Sequence, residues 1–191
     1  MSVEMIHLTF EGVCPLLMHS GRLADPLDNI AIALAAVTSK RPKTRSDHKR
    51  IAELEWHGSL WLHRGRPCIP PEAIEAAFVN GAKTRKKGSA ARAGLVVNNP
   101  AILDYEGPSD VKKLFKDPSF TLRALVRVRD SRTIRTRPRF PLWSVNVSAS
   151  FLPSLLNRDE VLEYFRIAGS FGIGDWRPRY GKFVVQERQL E

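Results

Sequence analysis

The sequence is poor in the residues that build disulfide frameworks and metal centres. It has only two cysteines, Cys14 and Cys68, without C-x-x-C spacing, and its five histidines are scattered. Structural zinc sites and disulfide scaffolds need several such residues at short, regular intervals. We therefore expect neither a metal nor another cofactor.

Long hydrophobic runs are also missing. No stretch approaches the roughly 18 consecutive apolar residues of a membrane span. The opening MSVEMIHLTF lacks the basic segment and apolar run of a secretory signal. No G-K-[ST] follows the glycines, as it would in a P-loop, and they do not join a strand to a following helix as in a dinucleotide fold. We expect a cytoplasmic protein with no membrane contact.

Acidic residues are too few to balance the basic ones. Thirty Lys and Arg stand against twenty Asp and Glu, for a net charge of +10. A field of this sign attracts polyanions, nucleic acid first among them. Four basic clusters carry much of the charge, at 40–50, 83–92, 123–139 and 177–182. If they converge and neutralise roughly six to ten phosphates, binding should weaken roughly 10³–10⁵-fold between about 50 and 200 mM salt.

Alternation of apolar and polar residues predicts the strands. Ile6, Leu8 and Phe10 share one face of an opening strand, and 55–64 and 143–151 alternate in the same way. Short strands are predicted within 94–103 and a last strand at 182–188. The stretch 120–140 carries seven arginines around an Asp-Ser turn, which indicates a β-hairpin.

Helices are predicted where apolar residues recur at helical spacing. One covers 29–37, with Asp28 or Asn29 as its N-cap. A second opens at Pro71, with Ile74, Ala77 and Phe78 as its core stripe. A third follows Asn157, where Glu160 completes a capping box, and is stopped by Gly169 and Gly172. One or two helical turns are expected at 109–115. The Pro-broken 38–50 stretch is predicted to be a solvated loop or a partner-binding arm.

These elements predict an α+β fold with a ferredoxin-like, RRM-like split β-α-β core. The opening strand and the 29–37 helix begin it, and the strand, helix and strand of the last fifty residues complete it. We expect one domain, 1–191, with insertions at 38–50, 83–94 and 120–140. The first two are predicted basic loops, and the third is the arginine-rich hairpin.

A glycine-rich loop, GSFGIGDWRPRYGKF, joins the third helix to the last strand. Glycines let a ligand approach the main chain, and exposed amides there can bind phosphate oxygens. Trp176 and Tyr180 offer stacking surfaces for bases, and Arg177 and Arg179 flank a proline. The loop is therefore predicted to hold single-stranded nucleic acid. The alternative is a tight connector whose two rings belong to the core.

This arrangement resembles the RAMP superfamily, the ferredoxin-like RNA-binding proteins of CRISPR systems. The loop glycines Gly169, Gly172, Gly174 and Gly181 match the family's signature position, and 120–140 resembles the thumb of its backbone subunits. The resemblance implies a non-catalytic subunit that binds single-stranded nucleic acid, with RNA expected. It also implies assembly as a homo-oligomer or within a multi-subunit complex. The predicted binding residues are Arg22, Lys83, Arg85, Lys86, Lys87, Arg127, Arg129, Arg132, Arg135, Arg137, Gly172, Gly174, Trp176, Arg177, Arg179, Tyr180 and Lys182.

Other functions remain open at this stage. Some related subunits cleave RNA with an aspartate after the first strand, where Asp25 and Asp28 lie, so a metal-dependent ribonuclease is one alternative. Acids beside a helix start also serve as caps. A phage single-stranded DNA-binding protein, or a protein-binding mimic of a CRISPR subunit, is another alternative. Composition alone does not separate RNA from DNA, because placed side chains recognise the 2′-hydroxyl.

Overall fold

The computed structural model describes residues 2–128 and 130–188. It contains helices and antiparallel sheets, and the predicted α+β class is confirmed. The strands are β1 (Glu4–Gly12), β2 (Leu16–Leu17), β3 (Leu62–His63), β4 (Arg66–Ile69), β5 (Leu95–Val97), β6 (Ala101–Asp104), β7 (Thr121–Val128), β8 (Ser131–Phe140), β9 (Ser144–Phe151) and β10 (Phe183–Glu187). The α-helices are α1 (Asn29–Thr38), α2 (Arg45–Ser59), α3 (Pro71–Lys83), α4 (Gly88–Gly94), α5 (Val111–Lys116) and α6 (Arg158–Phe171). Gly21–Ala24 and Pro118–Phe120 form short 3₁₀ turns.

The chain divides into two compact units. Unit 1 contains the segment before Leu17, Leu62–Glu106 and the segment from Pro141 onward. Unit 2 contains Leu17–Trp61 and Gly107–Phe140. Unit 2 is thus made of two segments that interrupt the sequence of unit 1. The 38–50 and 120–140 stretches predicted as insertions lie in these two segments, and 83–94 lies in unit 1.

Unit 1 is built on an antiparallel sheet with the strand order β10-β1-β9-β6-β4-β3, and β5 also pairs with β9. The alternation read from the sequence is confirmed, because Ile6, Leu8 and Phe10 are fully buried. Helices α3 and α6 pack together, and their rings reach the sheet core. Phe165 of α6 lies 5.3 Å from Phe10 and 4.6 Å from Phe78 between ring centroids.

Helix α6 begins as its sequence predicts and ends at the second of the two glycines predicted to stop it. Asn157 accepts the Glu160 amide and Glu160 accepts the Asn157 amide, which completes the capping box. Gly172, with φ of 82°, ends the helix. Gly169 has a different role from the predicted stop, because it lies inside the helix. A Cβ there would overlap the carbonyl oxygen of Phe183, so glycine allows the helix and β10 to approach closely.

Unit 2 combines helices α1 and α2 with the β7–β8 pair. The two strands pair antiparallel from Thr121 opposite Pro138 to Val128 opposite Ser131. Trp56 of α2 is fully buried and donates from Nε1 to the carbonyl of Phe120 over 2.9 Å. An aromatic anchor of this size contributes much of the hydrophobic stabilisation in so small a unit.

Two predicted elements of unit 2 were wrong. The 55–64 stretch is not a strand, because α2 continues to Ser59 and only Leu62–His63 is extended. The 38–50 stretch is not one loop, because α2 begins at Arg45 behind a capping box of Thr44 and Asp47. That cap satisfies the first helix amides and starts the helix within the basic stretch. In the 83–94 stretch, α4 likewise occupies Gly88–Gly94.

The 29–37 helix forms as predicted, with Asp28 as its N-cap, but its place differs from the prediction. Helix α1 packs on α2 within unit 2, whereas α3 is the helix that packs beside α6. Ile74, Ala77 and Phe78, the predicted core stripe of α3, are buried. The apolar content of α1 misled the assignment, because apolar periodicity does not tell which sheet a helix covers.

Candidate nucleic-acid interface

The first basic surface begins at the N-terminal half of α2. The capping box at Thr44 places Arg45 and Lys49 four residues apart, on one side of the helix. Both side chains are exposed, as is His48 between them. Asp47 is held by the Thr44 amide, by Lys40 and by the Thr44 hydroxyl, and these contacts lower its pKa. Its carboxylate is therefore ionised, and it already accepts hydrogen bonds from Thr44 and Lys40.

The antiparallel strand pair β7–β8 contacts this helix through a buried carboxylate. Glu55 of α2 is only 2% exposed. Its Oε1 accepts from Arg135 NH1 over 2.6 Å, and its Oε2 accepts from the amide of Thr136 over 2.8 Å. One side chain thus binds both a guanidinium and the main chain of β8. This contact fixes the position of β8 relative to α2.

Two adjoining grooves open between these elements, with His48 and Arg123 lining both. The groove toward α1 has a volume of about 700 Å³ and the other about 750 Å³. Seven Lys and Arg line them, against two carboxylates. The basic lining residues are Lys43, Arg45, Lys49, Arg50, Arg123, Arg132 and Arg135.

Both carboxylates of the grooves are paired. Glu53 binds Arg50 over 2.7 Å, and Glu55 binds Arg135. Among the residues that the structure describes, the other five cations form no ion pair with a carboxylate. These are Lys43, Arg45, Lys49, Arg123 and Arg132. The grooves therefore hold a surplus of positive charge that is open to an anionic ligand.

The remaining predicted arginines of the hairpin lie in different surroundings. Arg127 is exposed and sits opposite Arg132 in the strand pair. Arg137 is only 7% exposed, donates to the Thr136 carbonyl and lies beside His19. It packs inside unit 2 and is too buried to form part of an exposed interface. Arg129 falls outside the described residues.

The acids considered for catalysis act as local caps. Asp28 accepts from the amides of Ile30 and Ala31 and from Arg22 Nε over 2.8 Å. The bond from Arg22, followed by the amides, lowers the pKa of Asp28. Asp25 accepts from the amide of Leu27 over 2.9 Å. Within 2–128 and 130–188, no cluster of three His, Cys, Asp or Glu residues is arranged to hold a metal ion.

The glycine-rich loop of unit 1 uses much of its main chain internally. The amide of Ile173 donates to the Gly181 carbonyl, and the amide of Gly181 donates to the Pro15 carbonyl, each over 2.9 Å. Gly172 bonds to Ala168, and Lys182 to the Cys14 sulfur. These four amides are therefore not available to phosphate oxygens, although the sequence suggested an amide cradle.

The side chains of the loop are better placed for a ligand than its amides. Arg177 and Arg179 are exposed, and Trp176 and Tyr180 are half-buried with ring centroids 6.3 Å apart. Trp176 has φ of 49°, a left-handed conformation that is uncommon for a bulky residue. Because both rings are half-buried, they are neither fully exposed stacking surfaces nor part of the hydrophobic core. Lys182 is half-buried beside them.

The basic residues at 83–87 lie along a different part of unit 1. Arg85 binds Glu163 over 2.7 Å and Lys87 lies 3.7 Å from Glu160, both on α6. Lys83 donates to Asn80, and Lys86 is exposed at φ of 59°. About 14 Å of helix separates Glu163 from Gly172, where the helix ends. These two clusters of unit 1 therefore sit toward opposite ends of α6.

The grooves include residues that the sequence did not single out. Arg45, Lys49 and Arg123 belong to the predicted basic clusters but not to the individually predicted binding residues. The signal that could have found the first two is the T-x-x-D pattern at Thr44, which starts a helix and aligns them.

No protein-family model matches the sequence, and no curated protein is significantly similar to it. Within the described ranges, every helix is too short or too polar to cross a bilayer.

Proposed function

We propose that this protein binds single-stranded nucleic acid, with RNA as the expected ligand, and acts without catalysis as a subunit that assembles along the strand. The observation that carries the proposal is the cationic lining of the unit 2 grooves. Five of their seven Lys and Arg have no carboxylate partner among the described residues. Such a surplus in a concave surface favours a chain of phosphates over a single small anion.

The fold supports a relationship to the RAMP plan. In unit 1 the chain order β1, α3, β6, β9, α6, β10 follows a β-α-β-β-α-β sequence. The sheet places β1 between β10 and β9, with β6 on the far side of β9. This is the order expected of a split β-α-β core. The glycine-rich loop joins α6 to β10, and its exposed Arg177 and Arg179 form a second candidate surface.

The ribonuclease alternative has less support. Asp25 and Asp28 are both engaged in capping, and Asp28 is additionally paired with Arg22. Labelled RNA incubated with Mg²⁺ should stay intact in the presence of the protein. Cleavage that disappears in Asp28→Ala would favour the ribonuclease instead.

Binding is tested by fluorescence anisotropy with a labelled oligonucleotide of about 20 nucleotides. Arg123→Ala/Arg132→Ala should weaken binding about 25-fold at about 100 mM salt, because each lost phosphate contact lowers the salt exponent by ~0.7. The matched control is Lys112→Ala/Arg166→Ala, which removes two exposed cations that do not line the grooves. Equal losses in both variants would mean that net charge, and not the groove, causes binding.

Assembly along the strand is tested by electron microscopy of the purified protein, with and without nuclease. Rods or rings that vanish on digestion are expected. Assemblies that survive digestion would indicate protein-driven association and would contradict this part of the proposal.

A further inference from the structure

Helix α1 has an unusual surface for its position. Its sequence, NIAIALAAVT, carries no charge, yet none of its residues is buried. Ile32 on the helix is 52% exposed, and Leu27 just before it is 83% exposed. A surface helix normally buries its apolar stripe and turns charged residues to water. An uncharged helix with no buried residue is therefore a candidate binding surface on the side that borders a groove.

One face of α1 forms a wall of the groove described above. Ala31, Leu34, Ala35 and Thr38 line it, at the i, i+3, i+4 and i+7 spacing of a single helix face. Ile51 of α2 continues this apolar wall. The groove therefore has an aliphatic side and not only a basic one.

The opposite wall comes from the β7–β8 pair and carries both aliphatic and basic side chains. Ile134 lines the groove and is 45% exposed, between Arg132 and Arg135 along β8. Its partner across the strand pair is Leu125, which is 58% exposed. Directly paired residues project to the same face of a sheet. An exposed aliphatic pair is thus set among arginines.

From this juxtaposition we infer that the α1 wall and Ile134 contact the bases of the bound strand, while Arg123 and Arg132 hold its phosphates. The inference rests on the proposed function and specifies which part of the ligand each wall meets. An unpaired strand displays apolar base faces next to a row of anions, which complements an aliphatic wall beside a cationic one. A duplex hides its base faces and would leave the α1 wall in water.

The inference is tested by comparing two labelled strands of equal length and charge. One is an oligothymidylate of about 20 nucleotides, and the other is an abasic strand with the same number of phosphates. The wild-type protein should bind the thymidylate at least about tenfold more tightly, since contacts to bases add to phosphate binding. A duplex of the same length should compete less well than the thymidylate, because its base faces are stacked inside.

Leu34→Gln/Ile134→Thr removes the aliphatic contacts without changing charge. It should reduce the preference for thymidylate to about twofold while leaving the affinity for the abasic strand unchanged. The matched control is Ile32→Gln, which makes a similar change on α1 outside the groove. Unchanged urea midpoints show that the variants fold.

The outcomes separate this inference from the proposed function. Equal wild-type affinities for the two strands overturn the inference and leave nucleic-acid binding intact. Absence of binding to either strand overturns the proposed function itself. Equal loss for both strands in Leu34→Gln/Ile134→Thr also overturns the inference. If the wild type binds both strands equally and also binds a helical Leu-Glu peptide in a Leu34-dependent manner, the inference is overturned as well. The α1 wall would then be assigned to an acidic protein partner.

Discussion

The salt dependence of binding is the most quantitative test of the groove. Five cations in it lack a carboxylate partner among the described residues, so at least five phosphates can be neutralised there. For a single strand the exponent is about −0.7 for each phosphate, which gives about −3.5. The groove alone should then lower affinity about 100-fold between about 50 and 200 mM salt. This is a smaller loss than the basic clusters suggest when all are counted, because Arg50, Arg85, Lys87 and Arg135 already have acidic partners.

The decisive quantity is the difference between two slopes. Arg123→Ala/Arg132→Ala removes two contacts and should flatten the exponent by about 1.4, whatever the glycine-rich loop contributes. Anisotropy titrations at four or more salt concentrations measure both exponents directly. A wild-type exponent shallower than about −2, or a difference below about 0.5, would refute the assignment of these arginines to phosphates.

Three further predictions concern single features. Arg177→Ala/Arg179→Ala should flatten the salt exponent by about 1.4 without lowering the urea midpoint, and an unchanged exponent would remove the loop from the interface. Glu55→Ala should lower the free energy of unfolding by about 2–4 kcal/mol in urea titrations, because a buried amide and a guanidinium lose their acceptor. The matched Glu53→Ala, which breaks an exposed pair, should cost under about 1 kcal/mol, and equal costs would show that the Glu55 contact is not structural. Burial, and then Glu72, raise the pKa of Cys68 to about 11, so this thiol should resist alkylation at pH 8 until the protein unfolds. Because the unfolded thiol ionises first, the free energy of unfolding should fall as the pH rises from about 9 to 11, and a flat profile there would contradict the raised pKa.

Elements with strong local signals could be read directly from the sequence. The alternation of Val145 and Val147 predicted β9, and the Asn157–Glu160 capping box predicted the start of α6. Both patterns depend on neighbours a few residues apart, so tertiary contacts are not needed to recognise them. The confirmed predictions are mostly of this kind.

The error at α2 shows how a local pattern can mislead. From Trp56 to Leu62 the large apolar residues alternate by chance, which favours a strand when the segment is read alone. The competing signal, Thr44 followed by Asp47, begins twelve residues earlier inside a stretch whose charge suggested a loop. A cap determines where a helix starts, and the helix then continues until a residue opposes it. Gly58 does not interrupt α2, which continues to Ser59. A Cβ at this position would overlap the Leu23 side chain, so the glycine allows close packing.

The candidate site depends on contacts that no local pattern contains. Arg135 is eighty residues from Glu55 in the sequence, and only their ion pair shows that the hairpin is fixed against α2. Because Arg135 is paired with Glu55, it does not add to the unpaired positive charge of the grooves. A count of cations from the composition alone would include it. Similarly, the bonds from Ile173 to Gly181 and from Gly181 to Pro15 remove loop amides from use. In both places the structure lowers the number of groups that can bind a strand while fixing the positions of the rest.

Binding energy depends on positioned, unpaired groups more than on total charge, because a paired cation must first lose its partner. A comparison of Arg132→Ala with Arg135→Ala at equal net charge therefore separates the two contributions: the first should weaken strand binding more, and the second should lower the unfolding free energy more.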